Sequence, residues 1–97
     1  MAYARISVHE QIVALGDPTR RAIVERLLKG PLPVGKIARE FPISRPAISH
    51  HLRVLKDANI LDSEKSGQEV YYTMNKAFIV EELRALADKL EQLTDSN

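Results

Sequence analysis

Residues 34–56 carry two apolar stripes of unequal length separated by one tight turn, and few folds accept that arrangement. Val34, Ile37, Ala38 and Phe41 fall on one side of a short helix. Pro42-Ile43 makes the turn, and Ser44 stands where a helix N-cap is needed. Beyond it Ala47, Ile48, Leu52 and Leu55 recur at three- and four-residue steps up to about Lys56. A short and a longer helix joined by about three residues form a helix-turn-helix pattern.

The flanks extend the pattern. Val8, Ile12 and Leu15 have helical spacing, and Gly16 ends that helix. Asp17-Pro18-Thr19 then starts another, with a carboxylate cap and a proline at the first helical position. Ile23, Val24, Leu27 and Leu28 supply its apolar face, and Gly30-Pro31-Leu32-Pro33 stops it. After Ala58-Asn59 the period changes. Ile60 to Lys65 and Glu69 to Met74 read as strands around a Ser66-Gly67-Gln68 loop. Val70 and Tyr72 are expected to pack this hairpin on the core. Asn75 caps a last helix, where Ile79, Leu83, Leu86, Leu90 and Leu93 form a heptad-like seam. One side of such a seam suits packing within the chain and the other a partner helix. The expected fold is mainly α with a small β-hairpin, a winged helix-turn-helix forming a single domain over residues 1–97. The helix-turn-helix spans about 34–57, the wing about 60–74 and the C-terminal helix about 76–93.

The second helix of the motif carries the chemistry. With Ile48, Leu52 and Leu55 inward, Arg45, Ser49, Arg53 and Lys56 share the outward side, flanked by Pro46 and His50. That face is basic, rich in donors and free of carboxylates. It suits the major groove of double-stranded DNA, where arginine reads guanine and serine or histidine donates to bases or phosphates. Lys36 and Arg39 on the short helix add cations, and the helix start at Ser44 and Arg45 favours a phosphate. In the wing, Lys65 and Gln68 are the candidates for DNA contact, with Glu64 and Glu69 beside them.

Charge is segregated in the same sense. Residues 1–56 hold ten basic and four acidic residues (+6), and residues 57–97 hold four and nine (−5), which sum to the net +1 of the chain. A polyanion-facing half and chance in a short chain are both compatible with this. The absence of cysteine excludes disulfides, thiolate metal sites and thiol sensing. Met1 to Ser7 has no apolar signal-peptide core, and no apolar run approaches the roughly 20 residues of a membrane span. The chain therefore reads as soluble and cytoplasmic. Ser49, His50 and His51 lie in one solvent-facing turn with nothing to orient a base, and no phosphate loop or metal triad is present, so the chain does not read as an enzyme.

Leu15-Gly16-Asp17-Pro18-Thr19-Arg20-Arg21 and the run from Ile43 to Leu55 (ISRPAISHHLRVL) resemble the opening and the recognition-helix signature of ArsR-type (ArsR/SmtB) repressors. Gly67 and Val70-Tyr71-Tyr72 match the wing, and the resemblance covers about residues 11–90. It implies a homodimer on an inverted-repeat operator near its own promoter. In it the residues matching Arg45, Ser49 and His50 face the bases, and the first and last helices pair. The interface would then use Val8, Ile12 and Leu15 with Ile79, Leu83, Leu86, Leu90 and Leu93. Metal sensors of the family place cysteines in the helix that here reads Ile37-Ala38-Arg39-Glu40, or histidines on the last helix, which here has none. Of the three histidines, His50 belongs to the outward face, His51 reads as packed or capping, and His9 alone is thin for a transition metal. The expectation is no metal and no cofactor, as in the cysteine-free Sdp-type autorepressors. An unidentified effector, either a small ligand or a partner protein, would relieve repression if anything does. A winged helix serving protein–protein interaction is the alternative.

Overall fold

The computed structural model describes residues 8–95. The side chains of residues 8, 9, 83, 86, 89 and 95 are not among those described, so the expectations for Val8, His9, Leu83 and Leu86 lie outside the described residues. Helices α1 (Val8–Leu15) and α2 (Pro18–Leu27) lead into a two-residue strand β1 (Leu32–Pro33). Then come α3 (Val34–Glu40), α4 (Arg45–Asp57), β2 (Leu61–Ser66), β3 (Glu69–Met74) and α5 (Lys76–Asp95). Among the described residues no helix is long and apolar enough to cross a membrane.

The start of α2 is set by Asp17. Its Oδ1 accepts from the N–H groups of Thr19 at 2.8 Å and Arg20 at 3.1 Å, satisfying two free donors of the first turn. The Arg20 hydrogen bond does most to hold the Asp17 carboxyl below its ordinary value of 3.8, against an opposing effect of burial. A carboxyl lowered by folding contributes stability above its ordinary pKa, and that contribution disappears as pH falls through the lower folded value. Denaturant unfolding at stepped acidic pH should therefore show a steeper loss for the parent than for Asp17→Ala. Parallel acid limbs would mean that the cap carries no charge-dependent stability.

The core is one cluster beneath the helix-turn-helix. Ile23, Leu27, Ile37, Ile48, Leu52, Leu55, Ile60 and Leu61 are fully buried. Burial of side chains of this size contributes about 1.5–3 kcal/mol each. Leu15, Val24, Phe41, Tyr72, Phe78 and Ile79 pack around them. Leu32 and Pro33, expected only to stop a helix, form β1 and pair with Tyr72 and Tyr71. The expected hairpin is thus part of a three-stranded antiparallel sheet in the order β1-β3-β2. The wing loop is also shorter than expected. Ser66 pairs with Glu69, leaving Gly67 and Gln68 as the two loop residues, and Gly67 has φ +63° at the first of them. Two-residue loops with positive φ at that position match the twist of the strands they join.

Candidate nucleic-acid interface

Both ends of α4 are held by local chemistry. Ser44 Oγ accepts from the Ala47 N–H at 3.2 Å, and Pro46 sits in the first turn, where a missing N–H costs nothing. At the other end Asn59 takes the left-handed conformation with φ +60°. Its N–H donates to the Lys56 carbonyl at 2.9 Å, and the Ile60 N–H donates to the Leu55 carbonyl at 3.0 Å. This pair of bonds is the Schellman arrangement, with Leu55 and Ile60 both buried beside it. The helix therefore has a defined start, a defined end and a defined inward side.

Its outward side gathers the expected residues. Arg45, Pro46, Ser49, His50, Arg53 and Lys56 are exposed on α4, with Ser44 exposed at the cap. Lys36 and Arg39 are exposed on α3, which packs on α4. Among the described residues Lys36, Arg39, Arg45, Arg53 and Lys56 form no ion pair. Of the two carboxylates on α3 and α4, Asp57 lies at the far end of α4 beside the α1 groove, and Glu40 is tied to α2. Arg26 Nε lies 2.8 Å from Glu40 Oε1, and Arg26 Nη2 lies 3.3 Å from Oε2. The pair is too exposed to stabilise the fold by much. Its consequence is electrostatic, because the negative charge beside the basic face is compensated. No local spacing could announce a contact between two helices 14 positions apart.

The wing is better sorted than its sequence neighbours suggest. In β2 the side chains alternate, so Leu61, Ser63 and Lys65 share one face while Asp62, Glu64 and Ser66 share the other. Lys65 pairs with Val70 and Ser63 with Tyr72, whose ring packs on the core. Lys65 is therefore on the helix-facing side. Glu69 lies across from Ser66 on the opposite face, with the Tyr71 hydroxyl 3.5 Å from its Oε2. Gln68 is exposed in the loop.

The seam residues divide. Leu15 and Ile79 pack against the core of their own chain, whereas Ile12 (64% exposed), Leu90 (55%) and Leu93 (67%) do not. Val13 and Val80, outside the expected set, are exposed as well. After Phe78 and Ile79 no described side chain of α5 belongs to the core. A groove of about 400 Å³, lined by Glu10, Val13, Ala14, Val54, Asp57 and Ala58, runs between α1 and the end of α4. Among the described residues no three histidine or acidic side chains are placed to hold a metal ion.

Two further side chains link elements in ways that sequence reasoning missed. Arg20 reaches the end of α1 and also His51 on α4, and Gln11 donates to the Ala58 carbonyl at 3.2 Å.

A profile of the bacterial regulatory proteins of the arsR family matches residues 17–63. The chain is 53% identical over 62 residues to the HTH-type transcriptional regulator Rv2034 of Mycobacterium tuberculosis, a stretch that spans 64% of the chain and 58% of that regulator. It is 47% identical over 62 residues to the transcriptional repressor SdpR of Bacillus subtilis, covering 64% of the chain and 69% of SdpR. Among solved structures, the ArsR family transcriptional regulator RHA00566 superposes with a TM-score of 0.77 at 29% identity, over 90% of this chain and 96% of that one.

Proposed function

The chain belongs to the ArsR family of bacterial regulatory proteins, and from that membership we propose that it is a cytoplasmic transcriptional repressor that binds an inverted-repeat operator in double-stranded DNA as a homodimer. The observation that carries the reading is the exposed face of α4, which presents Arg45, Ser49, His50, Arg53 and Lys56 with a single carboxylate, Asp57, in its last position beside the α1 groove. In this reading residues 1–97 act as one DNA-binding domain, with the helix-turn-helix at 34–57, the wing at 60–74 and the dimerising helix at 76–93. Lys36, Arg39 and the α4 start at Ser44 and Pro46 neutralise or seat phosphates, which supplies affinity without sequence information. Arg45, Ser49, His50 and Arg53 read base edges in the major groove. Lys56 follows the backbone, and Lys65 and Gln68 reach the adjacent groove from the wing.

Pairing through α1 and α5 accounts for the apolar side chains each leaves outside. Ile12, Val13, Val80, Leu90 and Leu93 are more apolar surface than a small monomer usually leaves open. The groove beside α1 offers the same side of the domain a concave seat. Repression is then steric, with the dimer occupying a promoter, its own among them, and excluding polymerase. Without cysteine the chain has no thiolate through which to sense a metal or an oxidant, so an effector that relieves repression would have to act without one.

Selection from a random double-stranded DNA pool at about physiological salt tests the reading, because the nonspecific electrostatic term is then suppressed. An enriched inverted repeat with half-site centres about one helical turn apart, or a multiple of it, is the expected result. A folded protein that enriches no motif, yet captures a protein from extract, would replace the reading with an interaction module. On the selected operator Arg53→Ala should weaken binding by about 1–3 kcal/mol and relax preference at one base pair per half-site. Unchanged affinity and unchanged base preference would remove Arg53 from the base-reading set.

A further inference from the structure

Arg20 ties three elements together. From α2, its Nε donates to the Ala14 carbonyl of α1 at 2.6 Å, and its Nη2 points at the Val13 carbonyl at 3.5 Å. Its Nη1 lies 3.2 Å from His51 Nδ1 on α4. A guanidinium donates and cannot accept, so this geometry requires Nδ1 to be the accepting nitrogen of the ring. Capping the end of α1 does not by itself need Arg20. Arg21 Nη1 already donates to the Leu15 carbonyl at 2.7 Å, and the Gly16 N–H donates to Val13 at 3.1 Å. What Arg20 adds is the connection onward to α4.

A second tie joins the same two helices. Gln11 Nε2 of α1 donates to the Ala58 carbonyl at the end of α4. His51 and Ala58 are seven residues apart, which is about 10 Å along a helix. Two directional bonds separated by that distance fix both the rotation of α4 and its tilt against α1. Apolar packing beneath α4 sets its depth but is non-directional. His51 stands beside His50, with ring centroids 5.9 Å apart, so turning α4 enough to re-aim His50 would also pull His51 off Arg20.

We propose that Arg20, His51 and Gln11 are positioning residues that fix the recognition helix α4 on α1, and thereby set the spacing between operator half-sites that one dimer accepts. This inference rests on the homodimer reading above. If two α1 helices pair, a rigid α1–α4 angle makes the distance between the two recognition helices a property of the fold. If that angle loosens, one dimer accepts several distances.

The test uses the full chain on duplexes carrying two copies of the selected half-site at spacings stepped by one base pair, and on a duplex with one half-site. The parent should prefer one spacing over its immediate neighbours by about tenfold, since avidity is lost when geometry forbids simultaneous engagement. Arg20→Met and Gln11→Leu should flatten that preference to about threefold or less, with single-half-site affinity within about twofold of the parent. His51→Asn keeps an accepting oxygen near the place of Nδ1 and should retain the preference, whereas His51→Leu should lose it. A merely structural role predicts the opposite pattern, an equal loss on every duplex with the spacing preference intact, and that result overturns the proposal. If Arg20→Met does not fold, the two His51 variants and Gln11→Leu decide the matter alone. A parent that shows no spacing preference overturns the dimer reading itself, and with it this inference.

Discussion

Changing Ile12 to glutamate is expected to leave a folded monomer that has lost at least about a hundredfold in operator affinity. Ile12 is 64% exposed in the single chain, so the substitution removes little burial there. The folding free energy of the monomer should move by no more than about 0.5 kcal/mol. In a dimer paired through α1 the same carboxylate enters an apolar contact. A buried charge without a partner is strongly destabilising, by about 3–5 kcal/mol. Two half-sites held by one dimer gain about 10²–10⁴ over a single site, and a monomer forfeits that factor. Sedimentation equilibrium reads the assembly and a titration of the selected operator reads the affinity. Leu90→Glu on α5 should behave alike, since Leu90 is also exposed in the single chain. An unchanged dimer with unchanged affinity would take α1 out of the interface. A monomer that still holds the full operator at parental strength would show that pairing adds nothing to binding.

The helical part of the fold was legible because its signals are local. Asp17 and Ser44 cap as expected, and Asn75 does too, accepting from the Phe78 N–H at 3.0 Å. Each needs only neighbours within one turn. The short strand β1 was not legible for the complementary reason. Two residues carry no periodicity, and Leu32-Pro33 after Gly30-Pro31 reads as a stop. What makes it a strand is Tyr71 and Tyr72, about forty positions away. The wing loop is one residue shorter than its sequence suggests because Ser66 suits a turn as well as a strand end, and only pairing with Glu69 decides it.

The candidate site divides along the same line. The outward row of α4 follows from a period of 3.6 and the inward set Ile48, Leu52 and Leu55. The side of Lys65 was legible in principle, since alternation in a strand separates it from Glu64. The net charge of the wing alone hides this separation. The pairing of Glu40 with Arg26, and the reach of Arg20 to His51, join residues on different helices. Long flexible side chains meet wherever packing brings their stems together, and no spacing rule encodes that. The seam on α5 was legible as apolar, but its division was not. Only the packing of Phe78 and Ile79 onto the core tells which end of the helix is spoken for.

Truncating Leu52 to alanine is the substitution expected to cost the fold most, about 2–5 kcal/mol. Leu52 is fully buried on α4, between His51 and Arg53, and belongs to the cluster that holds the recognition helix to the domain. A domain of this size has about 5–15 kcal/mol in total, so the variant should fold but melt at least about 8 °C lower. Its operator affinity tells more than its melting point. Leu52 faces away from the row that meets DNA, so at a temperature where the variant is folded its affinity should stay within about threefold of the parent. Operator binds the folded form alone. At a hundredfold excess over Kd it should therefore return about 2.7 kcal/mol of apparent stability, and the melting point should recover with it. A folded variant that binds poorly would mean that the cavity lets α4 shift, and that the apolar core aims the recognition row as well as supporting it. In that event the polar ties through Arg20 and Gln11 would share their positioning task with the core beneath them.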